Sequence, residues 1–234
     1  MWLYLVSGRS RIAIHVGGTP LQRALFADIL RVGAVACISP LQTVLTILIL
    51  TRLVAQFGTD ALAGYGIGTR LEFLLVPIAF AVGVASVPLV GMAIGAGKIA
   101  RARRAAWTAA ALATGILAGL GLIVTVAPDL WTRLFTQDPA VLAAAAGYFQ
   151  WAGPVYGLFG LGLSLYFSSL GAGKAIGPVL AGTLRLVMVA GGGLLLAMWQ
   201  TPTWTIFALL AAGMAVYGIS SVLFVRGTPW GMEK

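Results

Sequence analysis

Residues 73–98 read FLLVPIAFAVGVASVPLVGMAIGAGK, and residues 99–107 continue IARARRAAW. The run from Phe73 to Gly97 carries no charge. About 20 apolar residues suffice for a helix to cross a hydrocarbon core of about 30 Å. Lys98, Arg101, Arg103 and Arg104 follow at once. A short basic loop between two apolar runs belongs on the cytoplasmic side of a membrane. This one stretch predicts a membrane protein, places a span and gives its direction.

The rest of the chain agrees. Hydrophobic residues make up 60% and charged residues 9%, with a mean hydropathy of +0.99, whereas a soluble domain carries about 25% charged residues. A net charge of +9 would suggest nucleic acid in a soluble chain. Here the bases gather in the loops of one side, so topology explains them and no nucleic-acid partner is expected. The single Cys37 lies in an apolar run. It excludes an internal disulfide framework and reads as a small packing residue. Met1 to Val6 is apolar, but Arg9 and Arg11 follow too soon for a signal-peptide core. That start resembles the end of a preceding span.

Six apolar runs predict six transmembrane helices, at 32–56, 61–97, 105–127, 139–170, 175–199 and 203–225. The expected fold is an all-α, polytopic helix bundle. Residues 1–20 are expected to form the end of a span and a cytoplasmic connector, 21–226 the six-helix unit, and 227–234 a cytoplasmic tail. The second and fourth runs exceed the required length and should tilt or kink. Pro77, Pro88 and Pro154 supply the kink points, because proline removes an intrahelical hydrogen bond. Thr19-Pro20 opens an amphipathic stretch, LQRALFADILR, expected to lie along the cytoplasmic surface. Asp138-Pro139 is a similar start signal for the fourth run.

Alternating sides sorts the bases. Arg9, Arg11, Arg23, Arg31, Lys98, Arg101, Arg103, Arg104, Lys174, Arg226 and Lys234 fall inside, and only Arg52 and Arg133 fall in outer loops. Eleven against two makes both termini cytoplasmic, and the expected location is the plasma (inner) membrane. The tetrapeptide GAGK occurs at Gly95–Lys98 and again at Gly171–Lys174. Two crossings separate the copies, so both lie on one side. Neither is a phosphate loop, because Ile99 and Ala175 stand where Ser or Thr would bind magnesium. Both read as a glycine helix stop with a basic anchor.

Polar groups inside a bilayer are costly and mark packing contacts or transport paths. Ser39, Gln42, Thr43 and Thr46 recur at helical spacing in the first span. Gln150, Pro154, Gly157, Ser164 and Ser168 are expected on one face of the fourth, with Tyr148, Phe149, Phe159, Tyr166 and Phe167 opposite. Two such stripes predict a shared wet cavity. The GxxxG pairs Gly64/Gly68, Gly91/Gly95, Gly115/Gly119 and Gly153/Gly157 imply close helix packing. Glu72 is the one carboxylate beside a long apolar run. It shares a helical face with Tyr65 and Thr69, while Arg70 points away. Glu72 is either an interfacial structural carboxylate or an ion or substrate contact. Arg185 is either a site residue or a snorkelling base. Counted back from the two GAGK stops, the depths of Glu72 and Arg185 differ by about 20 Å on straight helices, which predicts no direct pair. The substrate and ion pathway is thus expected at Gln42, Thr43, Thr46, Tyr65, Glu72, Gln150, Pro154, Ser164 and Arg185. The sole histidine, His15, has no ligand partners nearby, so no metal site or cofactor is expected. The spans lack histidine, which argues against an enzyme of the Ser/His/Asp or Cys/His type.

The residues carry a family resemblance. LILTRLVAQFGTDALAGYGIGTRLEF at 48–73, running on through VPLVGMAIGAGK into RARR, resembles the seventh and eighth helices of the multidrug and toxic compound extrusion (MATE) family. GPVYGLFGLGLSLYFSSLGAGKAIGPVLAGTLRLV at 153–187 resembles its tenth and eleventh. The resemblance covers Phe26 to Val225. It implies a two-lobe transporter of which this chain holds the C-terminal six-helix lobe. It further implies an antiporter exporting organic, cationic compounds against H+ or Na+ entry, with the lipid bilayer, a small organic substrate and an N-terminal lobe as partners. Self-association could replace that lobe. In one branch of the family the coupling acid lies on the first helix; in another, acids on the seventh and tenth bind the ion. The matching spans here contain none beyond Asp28 and Asp138 at their flanks, so the resemblance places the coupling site either in residues missing from this sequence or in Glu72. The alternatives are a lipid-linked precursor flippase of the same superfamily and a non-transporting, truncated membrane protein. A flippase should show several deep bases, whereas Arg185 stands alone.

Overall fold

The computed structural model describes residues 23–199 and 202–230. The chain divides into two compact units, Met1–Ala34 and Val35–Lys234. The expectations for residues 1–20, His15 among them, and for 231–234 lie outside the described residues, as do the side chains of Asp28 and Arg31. Every described element is helical. In order they are α1 (Arg23–Ala55), α2 (Thr59–Gly95), α3 (Ile99–Val126), the short α4 (Asp129–Thr132), α5 (Pro139–Ala152), a 3-10 turn at Gly153–Val155, α6 (Tyr156–Gly171), α7 (Ile176–Met198) and α8 (Trp204–Gly227).

Five of these, α1, α2, α3, α7 and α8, are long and apolar enough to cross a membrane. The fourth expected span is different, because it is broken by the 3-10 turn into helices of 14 and 16 residues. Two other boundaries move. The amphipathic stretch is no separate element from Arg23 on, since the helix runs unbroken to Ala55. Helix α3 starts at Ile99, so Arg101, Arg103 and Arg104 lie on its first turns rather than in a loop. The alanine-rich IARARRAAW favours helix as soon as the preceding stop is complete.

The two GAGK copies form the same stop. Gly97 and Gly173 hold φ of 71° and 69°, where a side chain would be strained. The Lys98 amide donates to the Ala93 carbonyl (2.8 Å) and the Gly97 amide to Ile94 (2.9 Å). The Lys174 amide donates to Ser169 (2.9 Å) and the Gly173 amide to Leu170 (3.0 Å). These paired bonds satisfy carbonyls that a helix end leaves without partners. At the start of α5, Asp138 Oδ1 accepts from the Ala140 amide at 2.9 Å, with Pro139 in the first turn.

Helix α6 packs on α2, α3 and α8, while α5 packs on α2 and α8, and α7 on α8. Between apolar helices in lipid, close packing replaces the hydrophobic effect as the driving force. Glycines make that approach possible. A Cβ on Gly64 would stand 2.7 Å from the Ala145 amide, and one on Gly157 would stand 2.9 Å from Ala118 Cβ. Gly68 lies under the Tyr148 ring, and Gly153 lies against Gly121 and Thr125. Gly95, Gly115 and Gly119 meet nothing within 4 Å. Two of the four GxxxG pairs therefore mark close crossings on both members. The outer surface is apolar, with Val126, Met92 and Phe73 at 77%, 66% and 65% exposure, as a lipid-facing surface requires.

Candidate functional site

Helix α1 brings Ser39, Gln42, Thr43 and Thr46 to one narrow cavity of about 40 Å³, closed by Phe159, Arg185 and Tyr217 from α6, α7 and α8. The Thr43 and Thr46 hydroxyls donate back to the carbonyls of Ser39 (3.1 Å) and Gln42 (2.7 Å). Their donors are thus used within the helix, leaving oxygen lone pairs toward the cavity. The Gln42 amide nitrogen donates to Thr183 Oγ1 on α7 at 2.7 Å, while its carbonyl oxygen is buried without a partner.

A second cavity, of about 180 Å³, adjoins the first and shares Thr43, Phe159 and Arg185 with it. Its walls add Thr51 from α1 and Tyr65, Thr69 and Glu72 from α2. The Tyr148 hydroxyl on α5 donates to Glu72 Oε1, and the Tyr156 hydroxyl donates to Tyr148 Oη at 3.4 Å. Tyr148 is fully buried, with Tyr65 edge-on at 5.8 Å and Phe207 edge-on at 5.6 Å. The carboxylate is therefore held by a side chain that packing has already fixed.

Arg185 is 7% exposed and lies over the Phe159 ring at 5.4 Å. Its Nε has no hydrogen-bond partner. Glu72 and Arg185 line one cavity without forming an ion pair; among the described residues the one salt bridge joins Arg133 to Asp129 at the surface, at 2.8 Å. The expectation of no direct pair agrees with this, although the separation on straight helices did not keep the two out of one cavity. An α2 of 37 residues is about 55 Å long and cannot stand upright in a core of about 30 Å. Arginine also has a long reach of its own.

Six expected pathway residues thus come together: Gln42, Thr43, Thr46, Tyr65, Glu72 and Arg185. Three do not. Gln150 and Pro154 are exposed, and Ser164 is buried, unpartnered and in neither cavity. The expected face turns outward at Gln150 and Pro154, because spacing along one helix does not say which side meets its neighbours. Ser168 bonds Ser86 on α2 at 2.8 Å instead. Tyr148 and Phe159, assigned to the far side, are the ones that reach the site. Thr51, which the sequence reading missed, lies opposite Gln42 on α1 and off the stripe, so its spacing gave no signal.

Membrane-length helices thus enclose two adjoining cavities lined by hydroxyls, one carboxylate and one guanidinium among the described residues. The MatE family model matches residues 36–194, and the chain belongs to that family. It is 32% identical over 128 residues to the probable multidrug resistance protein NorM of Aromatoleum aromaticum, covering 55% of this chain and 27% of that protein. The probable multidrug resistance protein NorM of Thermotoga maritima is 28% identical over 142 residues, 59% of this chain and 30% of that protein. Among solved structures, a MOP superfamily transporter from Pyrococcus furiosus superposes with a TM-score of 0.85 at 18% identity, over 96% of this chain and 51% of that one. The MATE transporter ClbM in complex with Rb+ gives 0.77 at 22% identity, over 88% and 48%. The chain spans about half the length of these solved transporters.

Proposed function

We propose that this chain supplies one lobe of a secondary-active exporter that moves small organic compounds out of the cell in exchange for H+ or Na+. Membership of the MatE family and relatives named as multidrug resistance proteins support the reading. The observation that carries it is the cavity where Glu72, the only carboxylate lining it among the described residues, meets Arg185, Tyr65 and the threonine hydroxyls of α1 and α2. In transporters built from paired repeats the substrate and ion sites lie at the repeat interface near the membrane midplane. The cavity is this lobe's half of that site, and a first lobe, or a second copy of the chain, supplies the other half.

Glu72 is the coupling acid. Its oxygens, with the nearby hydroxyls, form a hard-donor set suited to a proton or a sodium ion. Tyr148 orients the carboxylate. The chain sits in the plasma membrane with its termini cytoplasmic. The bases Lys98, Arg101, Arg103 and Arg104 at the α2–α3 connection and Lys174 after α6 support that sidedness. Glu72→Gln tests the role of the acid: export should be lost while membrane abundance stays near wild type. Unchanged export in a stable variant would remove Glu72 from the pathway.

A further inference from the structure

We infer that Arg185 is the substrate-recognition point of this cavity and that it takes an oxyanion, such as a carboxylate or sulfonate, carried by an otherwise apolar compound. The inference deepens the exporter assignment proposed above and departs from the cationic substrate class that the family resemblance implied.

Arg185 is a charge removed from water. It is 7% exposed, its Nε has no partner, and no carboxylate among the described residues pairs with it. A guanidinium buried in this way is strongly destabilising unless something anionic accompanies it. Glu72 lines the larger cavity with Arg185 and offsets its charge through space, but the two form no ion pair. The narrower cavity holds Arg185 with no acid in its wall among the described residues. What surrounds the guanidinium there is neutral and polar on one side, from Ser39, Gln42, Thr43 and Thr46. On the other side Phe159 supports its face at 5.4 Å, leaving the edge of the fork for hydrogen bonding. Guanidinium groups bind oxyanions through that edge, commonly by two parallel hydrogen bonds. The apolar body of the ligand would then lie along Phe159, Ile47 and Val76, which line the larger cavity.

The Gln42 carbonyl oxygen sharpens the assignment. It is buried without a donor and lies against Gly182, so close that a Cβ there would displace it. Beside Arg185 it offers an acceptor for a proton-bearing group next to the ligand's oxyanion, as in an amide or hydroxy acid.

The test uses the purified full chain in lipid nanodiscs and two probes of matched shape, 1-naphthoate and 1-naphthylmethylammonium, with sodium chloride as a third arm. Thermal unfolding and tryptophan fluorescence read binding. Naphthoate should raise the midpoint and quench fluorescence at concentrations where the ammonium does neither. Arg185→Gln should weaken naphthoate binding by about tenfold or more, as loss of a charge-assisted pair would, and Arg185→Lys should retain part of it. If Arg185→Gln does not fold, Arg185→Lys and Gln42→Leu carry the comparison, each expected to weaken naphthoate selectively. Preference for the ammonium, equal naphthoate binding by the arginine variants, or full stabilisation by chloride alone would overturn the inference. The assay reads no transport. A chain that binds naphthoate through Arg185 but exports nothing even when paired with a first lobe contradicts the exporter assignment and leaves the recognition point standing.

Discussion

The Tyr148 hydroxyl, on α5, donates a hydrogen bond to the Glu72 carboxylate, on α2, across a crossing made possible by Gly64 and Gly68. Small residues thus bring two helices close enough for a buried tyrosine to position the acid. Tyr148→Phe removes only the donor. It should lower stability by about 1 kcal/mol, the scale of interhelical hydrogen bonds in membranes, and shift the apparent affinity for the coupling ion. Thermal unfolding in nanodiscs together with ion titration reads both. An unchanged ion titration would leave Tyr148 a packing residue only.

Glycine substitutions separate crossings from bystanders. Gly64→Leu and Gly157→Leu force side chains into Ala144 and Ala118 and should cut folded abundance severely. Gly115→Ala and Gly119→Ala meet open space and should be neutral or stabilising by up to about 1 kcal/mol. Fluorescence-detected size-exclusion of detergent extracts ranks the four. Equal damage from Gly115→Ala and Gly64→Leu would contradict the packing described.

Sidedness is open to labelling once Cys37, exposed and the sole cysteine, is replaced by serine. Lys98→Cys and Asp60→Cys place a thiol at opposite ends of α2, both exposed. The expected result in intact cells is labelling of position 60 by an impermeant maleimide and protection of position 98. The reverse pattern inverts the topology.

The α1–α7 contact is tested by Gly182→Ala. The added methyl displaces the Gln42 side chain that Thr183 otherwise holds. Ligand binding should weaken by several-fold with a small change in unfolding midpoint, measured in the same nanodisc assay. Full binding with a displaced Gln42 would show that its amide does not contact the ligand.

Much of the fold is legible in the sequence, because span length and charge placement are properties of single segments. The uncharged run before Lys98 and the two GAGK stops are read locally, and both stops form the paired hydrogen bonds that glycine at a helix end favours. What depends on rotation or on depth across several helices is not legible in the same way. On the fourth span Gln150 and Pro154 face outward while Tyr148 and Phe159 reach the site, the reverse of the faces expected, because spacing along one helix does not say which side meets its neighbours. Likewise, counting residues along α2 and α7 kept Glu72 and Arg185 apart, because rise along a tilted helix is not depth in the membrane. The polar stripe of α1, in one unbroken helix, lines the cavities with every member that its spacing suggested.

Gradient-driven transport in liposomes tests the central claim most directly. The purified chain is reconstituted alone and together with an N-terminal lobe from a MatE relative, each with wild-type Glu72 and with Glu72→Gln. An imposed proton or sodium gradient then drives a fluorescent organic substrate. The account predicts no transport by the monomeric chain, transport by the paired lobes, and its loss with Glu72→Gln. Transport by a demonstrated monomer, or paired-lobe transport at an undiminished rate with Glu72→Gln, would contradict it.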